Sequence, residues 1–115
     1  MMVLRGQIWS VGLDPTVANE QHGTRPCIVL SSDRFNALPI RQAIVVPLTS
    51  RDRQLPHHIA VADDGGLDRP SWAMCEVVRS VSLQRFGGHI STAAPRTLAD
   101  ITEQVMLWLA SEGPS

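Results

Sequence analysis

Turn chemistry cuts this chain into short apolar segments from its start to residue 94, and only after Pro95 does helical spacing take over. Asp14-Pro15-Thr16, Pro39, the run Asp63-Asp64-Gly65-Gly66 and Asp68-Arg69-Pro70 are the main breaks, because proline and glycine cannot sustain a strand ladder. The segments between them read as short strands at residues 7–13, 26–31, 42–50, 58–61, 71–81 and 86–90. Ser32 or Asp33 caps a helical turn that stops before Pro39, and residues 82–85 form a second tight turn. Residues 42–50 are nearly continuously apolar and are expected to be buried on both faces. Pro95 suits a first helical position, and Leu98, Ile101, Val105, Trp108 and Leu109 then make one stripe to about residue 111. Five or six short strands and one closing helix predict a mainly β (α+β) fold: a small, strongly bent antiparallel sheet, with the helix over one face. Trp9, Trp72 and Trp108 are the expected large core fillers.

A length of 115 residues predicts one domain, since domains run to about 100–200 residues. With 43% hydrophobic and 18% charged residues, the chain is too ordinary in composition to be disordered. No apolar run approaches the roughly 20 residues needed to cross a bilayer, and the start resembles no secretory signal. A cytoplasmic protein with no membrane association is expected. Cys27 and Cys75 stand singly in strand-like settings and read as core thiols rather than a disulfide. All ten basic residues are arginine, and the formal net charge is -1. Residues 1–60 carry six Arg against four acids (+2), and residues 61–115 carry four against seven (-3). Bulk charge therefore argues against strong non-specific nucleic-acid binding, while the first half could still build a binding surface.

Familiar site patterns are missing. There is no Cys-x-x-Cys, no His-Glu-x-x-His, no phosphate-cradling glycine loop and no Gly-x-Ser-x-Gly. His57 and His58 are adjacent, and adjacent strand residues point to opposite faces, so no metal site is expected from them. Three polar features remain. Arg25 precedes Pro26 at the mouth of a strand, which fixes its backbone extended. Thr49-Ser50 ends the most apolar strand, where hydroxyls emerge from the core. Glu20 and His22 stand in the loop just before Arg25. Taken singly, a surface ion pair, a satisfied turn and a solvated carboxylate account for them better than a site does.

Taken in order, Gly6-Gln7-Ile8-Trp9, Leu13-Asp14-Pro15, Glu20-Gln21, Thr24-Arg25-Pro26, Val29-Leu30-Ser31, Val46-Pro47-Leu48-Thr49-Ser50 and Arg79-Ser80-Val81 resemble the MazF/PemK-type toxins of bacterial toxin–antitoxin pairs. The resemblance spans essentially residues 1–115 as a single domain. It implies an SH3-like, CcdB/MazF-type barrel that forms a homodimer. It also implies sequence-selective, metal-independent cleavage of single-stranded RNA by a cofactor-free enzyme. The 2′-hydroxyl attacks, leaving a 2′,3′-cyclic phosphate (or 3′-phosphate) and a 5′-hydroxyl. Arg25 and Thr49 map to the usual catalytic pair, and Glu20 to the loop carboxylate, with Asn19, His22, Ser50 and Arg51 as expected RNA contacts. The implied protein partner is a cognate antitoxin whose flexible, acidic C-terminal segment covers the RNA groove.

The chemistry suits these roles. Arginine stays protonated in proteins and offers a planar set of donors, fit for a phosphorane but awkward as a base. Thr49 can donate to a phosphoryl oxygen or hold Arg25. Glu20, or failing it His22, would take the 2′-hydroxyl proton. Two departures stand out: Ala18-Asn19 replaces the Gly-Ser that many relatives place before Glu-Gln, and Val77 follows Glu76 where relatives often carry Gln. Both bear on base preference, not on scission. A non-enzymatic, CcdB-like gyrase poison is a weaker reading, because the chain lacks a terminal Trp-Gly-Ile. A catalytically silent, antitoxin-binding barrel is weaker too, because Arg25, Thr49 and Glu20 are all present.

Overall fold

β3 (Gln42–Thr49) organises the fold, as its apolar character predicts: every residue from Val45 to Thr49 is buried. In a computed structural model, which describes residues 1–13 and 23–110, β3 lies among six other antiparallel strands. These are β1 (Gln7–Gly12), β2 (Thr24–Val29), β4 (His58–Ala60), β5 (Trp72–Met74), β6 (Arg79–Ser82) and β7 (Phe86–Thr92). Two helices join them, the single turn α1 (Asp33–Asn36) and α2 (Pro95–Leu109). Ser32 is the α1 cap, its Oγ accepting from the Phe35 N–H at 3.1 Å.

The strand order is β4-β5-β3-β2-β1-β7, with β6 also paired to β3. β5 and β6 are the two halves of the expected strand at residues 71–81. A 3-10 turn, Cys75–Val77, interrupts it. Leu48 faces Ala73, yet Val45 faces Arg79, so the register against β3 slips by three residues, the length of that turn. The slip has a packing consequence: Cys75 is buried in the same apolar layer as Ile101 and Val105 of α2.

Period-two alternation divides the core into two layers. Trp9, Val11, Cys27, Val29, Ala43 and Val45 face one way, with Phe86 and Leu83. Ile8, Ile28, Val46 and Leu48 face the other, and α2 covers them with Ile101 and Val105. The hydrogen-bonded sheet is strongly bent and does not close. Its ends meet through the Asp63–Ala93 bridge, with Asp64 N–H donating to Thr92 O at 3.0 Å and Ala94 N–H to Ala62 O at 2.8 Å. Gly6, at φ +90°, turns the chain into β1 close beneath α2; a Cβ there would sit 3.2 Å from Leu98 Cδ2.

The helix departs from expectation at its end. Trp108 is 49% exposed and Leu109 74% exposed, so the stripe is buried only as far as Val105. The covered face of the sheet runs out before the helix does. Of the three tryptophans only Trp9 belongs to the core, packed edge-on against Phe86 with ring centroids 5.8 Å apart. Among the described residues no helix is long and apolar enough to cross a membrane.

Candidate functional site

Antiparallel pairing brings two separated polar segments to one place. Arg25 is the second residue of β2, opposite Val11, and Thr49 is the last of β3, opposite Trp72. With Thr24, Ser50, Arg69 and Ser71 they line a cleft of about 260 Å³. Arg25 reaches across it: its Nη1 donates to the Leu48 carbonyl at 3.1 Å. Nε of Arg25 is buried with no partner, and no carboxylate pairs with the guanidinium, among the described residues. A buried donor without an acceptor costs about 1–3 kcal/mol, so this side chain favours a ligand that brings oxygens to it.

Thr49 is buried, and its Oγ1 accepts the Arg51 N–H at 3.1 Å. That bond fixes the rotamer and leaves the hydroxyl proton to donate. Ser50 is exposed on the cleft wall. Arg51 is exposed and does not line the cleft; its contribution to the geometry is the backbone N–H. Glu20, Asn19 and His22 lie outside the described residues. Asp68, Arg69 and Ser71 also line the cleft; the first two read from sequence as turn chemistry and Ser71 as the start of a strand. The signal that could have found them is the pairing of β5 with β3, which seats the turn before Trp72 beside Thr49. Asp68 and Arg69 approach to 3.7 Å while both stay largely exposed, a weak pairing that leaves Arg69 available. The turn is held by Leu67 N–H donating to Asp63 Oδ2 at 3.0 Å, and by Gly66, where a Cβ would come within 2.1 Å of the Ile90 carbonyl.

The thiols behave as core atoms. Burial pushes the Cys27 thiol up to about 12 despite the nearby Arg25 and Arg79 charges, and burial with the Glu76 charge takes Cys75 to about 11. Neither is a nucleophile at neutral pH.

The histidine pair is a correction. His57 does not lie in a strand: β4 starts at His58, so alternation does not separate the two rings. Both Nε2 atoms turn to one carboxylate, His57 to Glu76 Oε1 at 3.3 Å and His58 to Glu76 Oε2 at 2.9 Å. Partial burial pushes Glu76 upward, but the His58 hydrogen bond, a backbone hydrogen bond and both imidazoles outweigh it and leave the carboxyl below its ordinary range.

A family model for the PemK-like, MazF-like toxins of type II toxin–antitoxin systems matches residues 4–109. The chain is 34% identical over 114 residues to endoribonuclease MazF9 of Mycobacterium tuberculosis, covering 94% of this chain and 97% of that protein. It is 35% identical over 96 residues to endoribonuclease PemK of Escherichia coli, covering 82% and 71% respectively. Among solved structures, MazF from Deinococcus radiodurans superposes with a TM-score of 0.85 at 22% identity, over 95% of this chain and 97% of that one. A mycobacterial endoribonuclease in complex with its cognate antitoxin gives 0.74 at 18% identity, over 98% of each. The ordered motifs, the bent sheet closed off by one helix and the match over nearly its whole length agree: the chain belongs to the PemK-like, MazF-like toxins of type II toxin–antitoxin systems.

Proposed function

We propose that this chain is the endoribonuclease toxin of a type II pair, acting in the cytoplasm as a homodimer on single-stranded RNA, and that Arg25 and Thr49 form its cleavage centre. The observation that carries this is the Arg25 guanidinium, which among the described residues pairs with no carboxylate and keeps a buried Nε without a partner, in the cleft that Thr49 also lines. Arg69 adds a second cation and Ser50 and Ser71 add hydroxyls, a lining that suits a phosphodiester better than an apolar ligand.

The reaction needs three things. The RNA 2′-hydroxyl loses its proton and its oxygen attacks the adjacent phosphorus. The charge gathering on the phosphoryl oxygens is met by Arg25 and by the Thr49 hydroxyl. The P–O5′ bond then breaks, and the departing 5′-oxygen takes up a proton. A 2′,3′-cyclic phosphate and a 5′-hydroxyl result, with no metal required at any step. Glu20 is the proposed acceptor of the first proton and His22 the alternative; Asn19, Ser50 and Arg51 are proposed to contact the strand. The proposed antitoxin carries a flexible acidic segment, which would compete with RNA phosphates for the same arginines.

The test is cleavage of a long single-stranded RNA in excess EDTA, followed by end-group analysis. Fragments with 5′-hydroxyl ends, lost in Arg25→Ala while the protein still dimerises, are the expected result. Cutting that needs a divalent ion, or that survives Arg25→Ala, overturns the mechanism. Gyrase inhibition without any RNA cleavage overturns the function.

A further inference from the structure

His57, His58 and Glu76 are not used by this chemistry. None of them lines the cleft, which sits at the Trp72 end of β5, opposite Thr49. The cluster is at the other end, where His58 pairs with Met74 and the 3-10 turn carries Glu76. The ligating atoms of the three side chains all lie within 4.8 Å of one another. Bonds of about 2.0–2.1 Å to zinc in tetrahedral geometry require ligand atoms about 3.3 Å apart; His57 already stands at 3.3 Å from Glu76, and His58, at 2.9 Å, needs to move back by only a few tenths of an ångström.

From the two convergent Nε2 atoms and the shared carboxylate we infer a divalent transition-metal site, of the two-histidine, one-carboxylate kind that zinc occupies. The donor set is of borderline softness, which selects zinc, nickel or copper over magnesium or calcium. Accessibility fits a three-ligand site. His58 is 1% exposed at its side chain and anchors the floor, while His57 at 30% and Glu76 at 41% leave a solvent side for water as the fourth ligand.

One feature limits the affinity. In the metal-free molecule His58 donates Nε2–H to Glu76, so a neutral ring has a bare Nδ1. A metal on Nε2 moves that proton to Nδ1, which is buried with no acceptor among the described residues. Metal-bound histidines ordinarily donate that N–H to a partner, and losing such a partner costs about 10–100-fold in affinity. The site is therefore weaker by about that factor than one with a complete outer shell. Its position ties three elements together: the start of β4, the turn after β5, and the end of α2, whose exposed Trp108 stacks edge-on against His57 at 5.5 Å.

The experiment titrates the full-length protein with zinc, by calorimetry and by its melting temperature, in the wild type and in His57→Asn and Glu76→Gln. Both substituted side chains are partly exposed, so the variants keep their fold, which circular dichroism checks. The expected result is one zinc per chain, a raised melting temperature, and at least about tenfold weaker binding in each variant. Nickel reports on location: it is expected to quench the wild type, and markedly less so Trp108→Phe, whose zinc stoichiometry stays at one. No saturable zinc binding would reduce the cluster to a hydrogen-bonded His–Glu group and sink the inference. Binding undiminished in both variants would put the metal elsewhere and sink it equally. RNA cleavage that persists in EDTA bears on the proposed ribonuclease mechanism alone, so the two readings fail separately.

Discussion

The two ends of β5 offer a comparison between polar groups with spare capacity and polar groups that satisfy one another. At the Trp72 end, Arg25 spends one nitrogen on the Leu48 carbonyl and keeps a buried Nε that is unpaired among the described residues. At the Met74 end, Glu76 meets two imidazoles, both of its oxygens within 3.0 Å of His58 Nε2 and Oε1 also 3.3 Å from His57 Nε2. A three-residue strand thus separates a cation with no carboxylate partner among the described residues from an anion with two partners. The difference is one of register. Thr49 terminates β3 where β5 pairs with it, so its neighbourhood is built from strand ends and opens onto loops. Glu76 rides the turn by which β5 gives way to β6, and that turn folds it back on the start of β4. Unpaired donors suit a transient, highly charged ligand, because they cost stability when empty and repay it only on binding.

The largest expected effect breaks the comparison at the cleft. Removing one preorganised donor to a developing oxyanion costs about 10²–10³-fold in rate. Arg25→Ala is therefore expected to cut single-turnover RNA cleavage by about that factor or more. Because its Nε has no partner among the described residues, the same substitution is expected to leave the melting temperature unchanged or raise it. A variant that loses both activity and stability would show that Arg25 holds the cleft together rather than serving a ligand. Arg25→Lys keeps the charge but loses the planar fork, so it is expected to recover only part of the rate.

Thr49→Val comes next. Valine preserves shape and burial but cannot hold the Arg51 N–H or donate to a phosphoryl oxygen. The loss of one hydrogen bond of about 1 kcal/mol predicts a drop of about five- to tenfold in cleavage, and Thr49→Ser should restore most of it. A drop as deep as that of Arg25→Ala would mean that Thr49 acts through the arginine, and a double variant no worse than either single would establish the coupling.

How far the residues alone could reach follows the same division. Alternation in residues 7–13, the apolar segment at 26–31 and the continuous apolar run at 42–50 were enough to predict β1, residues 26–29 of β2 and the two-sided burial of β3, while β2 starts two residues earlier than expected and takes in Arg25. The juxtaposition of Arg25 with Thr49 came from resemblance; no local rule relates residues 24 apart. The 3-10 turn at Cys75–Val77 was unreadable, since Val77 and Val78 look like strand residues and only pairing against β3 exposes the three-residue slip. That one turn also hid Glu76 from the histidines. Trp108 failed for a different reason: an apolar stripe states which face of a helix is apolar, not where the surface beneath it ends. Arg69 was masked by its glycine- and proline-rich company, and Ser71 by its place at the start of an apolar strand.

The smallest effect sharpens the comparison at the histidine end. Glu76 is held below its ordinary range in the fold, so its charged form is what the folded state stabilises. Its contribution is fully present above the unfolded carboxylate range and is lost as pH falls through the depressed folded value. In metal-free protein, Glu76→Gln is thus expected to be less stable than the wild type at neutral pH, by under about 1 kcal/mol given the exposure of the carboxylate. The difference should shrink to nothing in acid, where the wild-type carboxyl is protonated as well. Urea midpoints of both proteins across that range measure it. A gap that instead widened in acid would mean that the His57–His58–Glu76 group is a cost in the folded state, and that its two ends of β5 resemble each other after all: each would be a strained polar site relieved by something it binds.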